Sequence, residues 1–381
     1  MKIGIDISQT AYAGTGVARY TVALAQSLLK AKTNHQFIFF FSSLRQKPPK
    51  ELVEIIKEPH TLKRFYFPPT LLSQMWNDLH MVPIENFIGD IDVFISSDWV
   101  QPPVKKAKTI SIVHDMVIYV HPETATRKIS FNIKKVQIRP NIVETHKRRL
   151  HWVAKEVDCI IADSKSTKQD LESILKLHKK NIRVIYPSVY VEPVLLKASH
   201  LKDKYELKKP YLLTVGKLEP RKNIPMLIKA FISAGLSEKY DLVVVGAQGW
   251  GDFKLDIPHE MTDSIKFLGY VPEDDLSSLY TYAELFVYPS LYEGFGYPVL
   301  EAMQCGTPVA TSHTSSTGEL ADSYAHIFDP QDMHSISKVL LDTMKDEKLR
   351  TQYVSKAKTY ALSFTQEEFA KHLLEAIESL A

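Results

Sequence analysis

Cysteine is nearly absent from this 381-residue chain, which has two: Cys159 in CIIADS and Cys305 in EAMQCG. Two thiols set inside apolar patterns exclude a disulfide framework and predict buried free cysteines in a reducing cytosol. Long apolar runs are missing as well, for nothing approaches the ~18 uninterrupted apolar residues of a membrane span. The opening MKIGIDISQT lacks the apolar core of a signal peptide and predicts a strand instead. Glycine is scarce, 14 residues against 21 prolines. No repeat of fixed short period and no low-complexity tract breaks the chain. What remains is an ordinary soluble composition, 45% apolar and 24% charged. At roughly 100–200 residues per domain, the length predicts two or three domains, each with its own core.

A net charge of +3 conceals an asymmetry. Residues 1–190 carry 28 Lys and Arg against 17 Asp and Glu, whereas residues 191–381 carry 19 against 27. Halves of opposite sign predict domains facing different partners, with nucleic acid or an anionic membrane surface as candidates for the basic half.

Short β-rich apolar runs alternate with helical patterns, the signature of parallel α/β sheets. The first seven runs are IGIDIS (3–8), FIFFF (37–41), LKRFYF (62–67), DVFISS (92–97), TISIVHD (109–115), CIIADS (159–164) and IRVIYPS (182–188). After the first of them, Val17, Tyr20, Leu24 and Leu28 recur on one helical face. Fully apolar strands predict a sheet covered on both faces. Residues 189–209 lose the rhythm and gain lysines, and are read as a linker. The alternation restarts with YLLTVG (211–216), DLVVVG (241–246), IKFLG (265–269), LFVYPS (285–290), PVATS (308–312) and HIFDP (326–330). The expected organisation is a first doubly wound domain over 1–188, the linker 189–209, a second doubly wound domain over 210–363, and a terminal helix within 364–381. Thr365 and Glu368 are placed to form that helix's capping box. Ligands are expected at the carboxyl ends of the strands, in a cleft between the domains.

Two segments carry chemistry. In YPSLYEGFGYPVLEAMQCGTPVATS (288–312) a strand gives way to a glycine turn, and Pro298 then opens a helix. Backbone amides near 297–299 would form an anion site suited to a pyrophosphate, with Gly294 and Gly296 allowing close approach. Glu293 in the loop and Glu301 on the first helical turn can face one bound molecule and accept hydrogen bonds from vicinal hydroxyls. Alternatively, Glu301 only complements the helix dipole. In VGKLEPRKNIPMLIKAF (215–231) a strand ends at Gly216, and Arg221 and Lys222 precede a helix. Two cations at such a turn can neutralise a diphosphate leaving group, or can be plain solvated charges.

Together these segments resemble the family 4 glycosyltransferases of the GT-B fold. That pattern runs V-G-x-L-x-x-x-K-(G/N)-x-x-x-L-I-x-A-F, then F-x-G-x-V, then P-S-x-x-E-G-F-G-x-P-x-x-E-A-M-x-x-G-x-P-V. The chain gives VGKLEPRKNIPMLIKAF, FLGYV and PSLYEGFGYPVLEAMQCGTPV, with the Glu-x(7)-Glu pair Glu293 and Glu301 in register. The resemblance implies two Rossmann-like domains, the second binding a nucleotide sugar, the first an acceptor, and a C-terminal helix crossing back onto the first. It implies that Glu301 holds the ribose hydroxyls, Glu293 contacts the transferred sugar, and Arg221 with Lys222 binds the diphosphate. Gly269, Tyr270 and Val271 would hold the base, and Phe295, Gly296, Tyr297 and Val299 would face the sugar and phosphates beside Gly216. Many members carry arginine where Lys217 stands; lysine keeps the charge but not the bidentate fork.

In the first half, Gly14 and Gly16 lie between the first strand and helix. A dinucleotide fingerprint would need a third glycine where Arg19 stands, which disfavours an NAD site. The resemblance places this loop beside the donor phosphates and gives His114, in SIVHD, a functional role against the transferred sugar. Asp115 is expected to orient it or meet the acceptor. The EDD run at 273–275 follows Pro272 and suits a helix N-terminus, so no metal and no cofactor is expected. Residues 127–155 hold nine Lys and Arg and one Glu, interleaved with Ile129, Phe131, Ile133, Val136, Ile138 and Trp152. They are read as docking on an anionic membrane, with a solvated basic helix as the alternative. No nucleic-acid module accompanies them. The implied activity is retaining transfer of a hexose, mannose from GDP-mannose, to a glycan or lipid-linked acceptor, in the cytoplasm at the inner face of the membrane. A UDP-hexose donor, a sugar-nucleotide epimerase and a non-catalytic sugar-binding scaffold are the rivals.

Overall fold

The thirteen apolar runs all form strands in the computed structural model, which describes residues 1–122, 142–178, 180–192, 196–249 and 257–380. The chain divides into two compact units. One holds Met1–Val120, the described residues from Ile142 to Ser188, and the segment from Phe364; the other holds His121, Pro122 and the described residues of Val189–Ser363.

The first unit is built on a seven-stranded sheet of order β3-β2-β1-β4-β5-β6-β7. Its strands are β1 (Lys2–Asp6), β2 (Gln36–Ser42), β3 (Thr61–Phe65), β4 (Val93–Ser96), β5 (Lys108–Val113), β6 (Cys159–Ala162) and β7 (Asn181–Val184). Every pairing is parallel. β2 shows why its sequence is continuously apolar. Phe37, Phe39 and Phe41 enter one core cluster while Ile38 and Phe40 enter another, so alternate side chains fill both covered faces. The helix Gly16–Lys30 buries Tyr20, Leu24 and Leu28 against the first of these clusters. The C-terminal helix Gln366–Glu378 places Phe369, Leu373 and Ile377 in that same cluster, at about 2 kcal/mol per fully buried side chain. Thr365 caps it by accepting from the Glu368 amide at 3.2 Å, while the Glu368 carboxylate lies 3.5 Å from Lys371.

The second unit carries six parallel strands of order β10-β9-β8-β11-β12-β13. They are β8 (Tyr211–Val215), β9 (Asp241–Val245), β10 (Ile265–Gly269), β11 (Leu285–Tyr288), β12 (Val309–Ser312) and β13 (His326–Phe328). Leu227, Ile228 and Phe231 of the helix Ile224–Ser233 pack on Leu212, Val244, Leu285 and Val287 of the sheet. Strand order reverses between β8 and β11, so the loops leaving those two strands flank the switch point where open α/β sheets bind ligands.

Part of the stretch read as a linker, 189–209, is folded. It contains the helix Ala198–Tyr205, which buries Leu201. Lys204 donates to Asp275 at 2.5 Å, and the Tyr205 hydroxyl donates to the same oxygen. Asp275 lies in the first turn of the helix Glu273–Tyr282, so one residue of the EDD run ties two helices together. Among the described residues, no helix is long and apolar enough to cross a membrane.

Candidate active site

Three glycines close the strand ends beside the switch point. The Gly216 amide donates to the Val245 carbonyl at 2.9 Å, and the Gly246 amide to the Gly269 carbonyl at 2.8 Å. A Cβ on Gly246 would lie 2.0 Å from the Gly216 oxygen, so β8 and β9 can end this close only as glycine. Beyond Gly216 the chain forms the short 3-10 turn Pro220–Lys222 and enters the next helix through Asn223, whose φ is +57°. This turn aims Lys222 back beneath Gly216, where an added Cβ would sit 3.3 Å from Cε of the lysine.

The loop after β11 meets that turn. The Leu291 amide donates to the Arg221 carbonyl at 2.8 Å. Ser315 accepts from the Glu293 amide at 2.9 Å, and the Ser316 hydroxyl donates to the Glu293 carbonyl at 2.9 Å. So fixed, the Glu293 carboxylate receives Lys222 Nζ at 2.6 Å on Oε1 and Arg221 Nη1 at 2.5 Å on Oε2. The Tyr288 hydroxyl accepts from Lys222 at 2.6 Å and donates to Glu293 Oε1 at 3.0 Å. Arg221 also donates from Nε to Glu219 at 3.2 Å. Lys222 and Glu293 are 8% and 7% exposed, so this is a desolvated ionic cluster.

Burial opposes the charges of both Glu293 and Lys222. It pushes the Glu293 carboxyl up, but Arg221 and Lys222 outweigh it and hold the group at about 2. Burial pushes Lys222 down, against the pull of Glu293. The Tyr288 phenol, buried beside that carboxylate, is raised well above its ordinary value and stays a donor. The Glu293 value lies below the ordinary 4.5, so its ionisation stabilises the fold above about pH 4.5, and that contribution is lost as pH falls toward 2. Urea melts between pH 6 and 3 are expected to show wild-type stability falling across this window, with a shallower fall in Glu293→Gln.

Glu301 is handled differently. The helix begins at Tyr297, which makes Glu301 its fifth residue, past the first turn that the sequence spacing predicts for it. It is 3% exposed, and Oε2 accepts from the Tyr280 hydroxyl at 2.9 Å. A residue serving only the helix dipole would sit in the first turn and in solvent. The amide of Val299 is likewise not an open donor, because it is turned back onto the Gly296 carbonyl at 3.1 Å; Pro298 has none. The anion-site expectation for 297–299 is therefore narrowed. Gly294, Phe295 and Gly296 are buried in the loop, Gly296 at φ +108°. Lys217 is half-buried just after β8. At the end of β10, Gly269 takes φ +65°, Tyr270 is 74% exposed and Val271 is buried.

In the first unit, Gly14 lies in an exposed loop, and Gly16 is the exposed first residue of the helix that Thr15 caps. Nothing stands within 4 Å of a Cβ built on either glycine, although φ of +76° favours glycine at position 14. His114 follows β5, and its Nδ1 lies 2.6 Å from Oδ2 of Asp163. The residue that contacts the ring is thus Asp163; Asp115, expected to orient it or to meet the acceptor, accepts from the Val117 amide at 3.0 Å.

Part of the basic segment, 127–141, falls outside the described residues. In its remainder, the helix Ile142–Glu156, Arg149 is fully buried, donating to Ser97, Asp98, Ser111 and Ile112. Trp152 donates to the Asn77 carbonyl at 2.9 Å and stacks on His80 at 3.7 Å, so packing claims this ring. Arg148 pairs with Asp78 at 2.6 Å.

The structure thus joins Arg221, Lys222 and Glu293, holds Glu301 through a separate tyrosine, and keeps His114 in the other unit's sheet. Sequence reasoning missed Tyr288, Glu219 and Asp163. The only available signal was that Tyr288 and Asp163 stand at strand ends.

A family model described as glycosyl transferases group 1 matches residues 198–360, and one described as glycosyltransferase family 4 matches residues 14–192. O-antigen chain mannosyltransferase B of Escherichia coli is 27% identical over 397 aligned positions, covering 100% of both chains. Among solved structures, sucrose-phosphate synthase of Thermosynechococcus elongatus matches with a TM-score of 0.70 at 16% identity, covering 100% of this chain and 99% of that one. HepE of Anabaena, solved with UDP and glucose, gives 0.68 at 15% identity over 100% of both. Identities this low establish shared architecture alone.

Proposed function

For a chain that belongs to the family 4 glycosyltransferases and has the GT-B fold, we propose transfer of mannose from GDP-mannose, with retention, to a hydroxyl of a glycan or lipid-linked acceptor. The observation that carries this reading is the buried Lys222–Glu293–Arg221 cluster at the strand ends flanking the switch point. A departing nucleoside diphosphate develops negative charge, and preorganised cations in a dry site stabilise it strongly. Arg221 and Lys222 fill that role. Glu301, fixed by Tyr280, accepts hydroxyls of the ribose. Glu293 is doubly ion-paired and receives the Tyr288 phenol, so it is a weak base and a weak nucleophile. It suits hydrogen bonding to the sugar better than covalent attack on it. Same-face substitution assisted by the leaving phosphate fits that constraint.

Mannose as the sugar is supported by the full-length similarity to an O-antigen mannosyltransferase. A thermal-shift series with GDP-mannose, GDP-glucose, UDP-glucose and UDP-N-acetylglucosamine tests it. Stabilisation by GDP sugars alone is expected; stabilisation by UDP sugars alone overturns the donor assignment. Product analysis without acceptor separates transfer from epimerisation. With side-chain cations neutralising the leaving group, transfer is expected to survive EDTA at full rate.

We also propose that the protein works in the cytoplasm, with the basic stretch 127–155, apart from the buried Arg149 and the packed Trp152, meeting an anionic membrane face. Each basic residue near such a leaflet contributes about 1 kcal/mol. Flotation with anionic but not neutral liposomes, weakening with salt, is the expected result; salt-insensitive or absent binding removes this part.

A further inference from the structure

We propose that Asp163 is a positioning residue that holds His114 as an imidazolium, so that His114 serves the reaction as a permanently charged hydrogen-bond donor and not as a base. The inference rests on the glycosyltransferase reading only for its substrate; the pairing itself rests on geometry within the first unit.

Register brings the two residues together. β5 and β6 are parallel with Val113 opposite Ala162, so the next residues, His114 and Asp163, leave adjacent strand ends side by side. The ring is then clamped from several directions. Nδ1 lies 2.6 Å from Asp163 Oδ2, the His114 carbonyl accepts from Thr167 Oγ1 at 3.1 Å, and the edge of Tyr20 packs at 4.6 Å between centroids. Asp163 is itself fixed, because Ser164 caps the following helix by accepting from the Thr167 amide at 3.0 Å. With Nδ1 committed to Asp163, Nε2 is the atom left to meet a substrate.

The electrostatics agree. Burial alone lowers the imidazolium's stability, but Asp163, with help from Asp98 and Asp115, overrides it and raises His114 to about 9. Among the described residues, the helix Ile142–Glu156 also brings charged groups to this neighbourhood, and Asp6 of β1 acts on its Arg149. Arg149 is tied to Asp98 at 2.9 Å, and burial lowers the pKa of His146. Asp163 is 3% exposed, so the pair is shielded from solvent.

The decisive variant is Asp163→Asn, whose amide oxygen can still accept from Nδ1–H while removing the charge. Labelled-histidine NMR should place His114 near 9 in wild type and near the ordinary 6.5 in Asp163→Asn. At pH 8 that shift cuts the imidazolium fraction about 30-fold, and transfer should fall in proportion. At pH 6 the variant should recover to within about 2-fold of wild type. Asp163→Glu should restore activity at pH 8. A wild-type His114 titrating near 6.5, or an Asp163→Asn rate depressed equally at every pH, overturns the proposal. His114→Gln separates the two levels: full transfer in that variant, with the His114 titrations of wild type and Asp163→Asn as expected, overturns the substrate role while leaving the pairing and the enzyme class standing.

Discussion

Replacing Glu293 with glutamine is expected to lower sugar transfer by about 10³-fold while tightening the binding of free nucleoside diphosphate. The two effects come from one arrangement. Lys222 and Arg221 each lie within hydrogen-bond distance of Glu293, and Glu219 takes a further donor of Arg221. Two carboxylates thus balance two cations without a ligand. A diphosphate must compete with Glu293 for those cations. The amide of glutamine is uncharged, so the competition weakens and calorimetry should show a lower Kd for GDP. The contact proposed between this carboxylate and the sugar is lost in the same variant, and transfer is expected to fall with it. Lys222→Met should differ, losing both binding and turnover, because it removes the attraction itself. Both variants carry a stability cost of about 3 kcal/mol, since each leaves a buried charge short of its partner. Reduced melting temperatures with cooperative unfolding should accompany them. Unchanged GDP affinity in Glu293→Gln would show that the cations do not engage the diphosphate.

The second large effect is structural. Gly246→Ala is expected to destabilise the second unit by about 3 kcal/mol or more, because the methyl would stand 2.0 Å from the Gly216 carbonyl and φ is +145°. Neither partner can yield, for both are backbone at the ends of paired strands. The distortion would pass directly to the turn carrying Arg221 and Lys222, so GDP binding should fall beyond the loss of folded protein. Gly16→Ala makes the contrast. Nothing lies within 4 Å of its Cβ and its φ is not positive, so stability should hold. A drop in transfer by Gly16→Ala at unchanged melting temperature would then report on a ligand approaching that loop. Gly246→Ala with wild-type denaturant midpoints would contradict the close-packing account.

Legibility in the sequence divides along a physical line. β2 and β9 were legible because continuous β-branched and aromatic runs between turn signals have few other solutions in a soluble chain. Pro298 inside the first turn and Thr365 as a cap were legible because helix ends are local. The acidic and basic residues of the site, Glu293, Arg221 and Lys222, stood out through motif spacing. What spacing does not convey is partnership across the sheet. Tyr288 reads as one more apolar strand residue, yet its hydroxyl joins Lys222 to Glu293. Asp115 is adjacent to His114 in sequence, but the parallel register of β5 and β6 delivers Asp163 to the ring. Arg149 reads as part of a basic surface, and only tertiary packing reveals four acceptors drawing it into the core. The helix Ala198–Tyr205 was hidden for a similar reason: its lysine-rich pattern is weak alone and is held by Asp275, seventy residues away in sequence.

Calorimetric titration of GMP and GDP into wild type, Glu301→Gln and Lys222→Met tests most directly whether this strand-end cluster grips a nucleoside diphosphate. Loss of a ribose contact in Glu301→Gln should weaken both nucleotides alike, and loss of a diphosphate contact in Lys222→Met should weaken GDP by about 10-fold or more while leaving GMP nearly unchanged. Equal affinities for GDP across all three proteins would contradict the assignment.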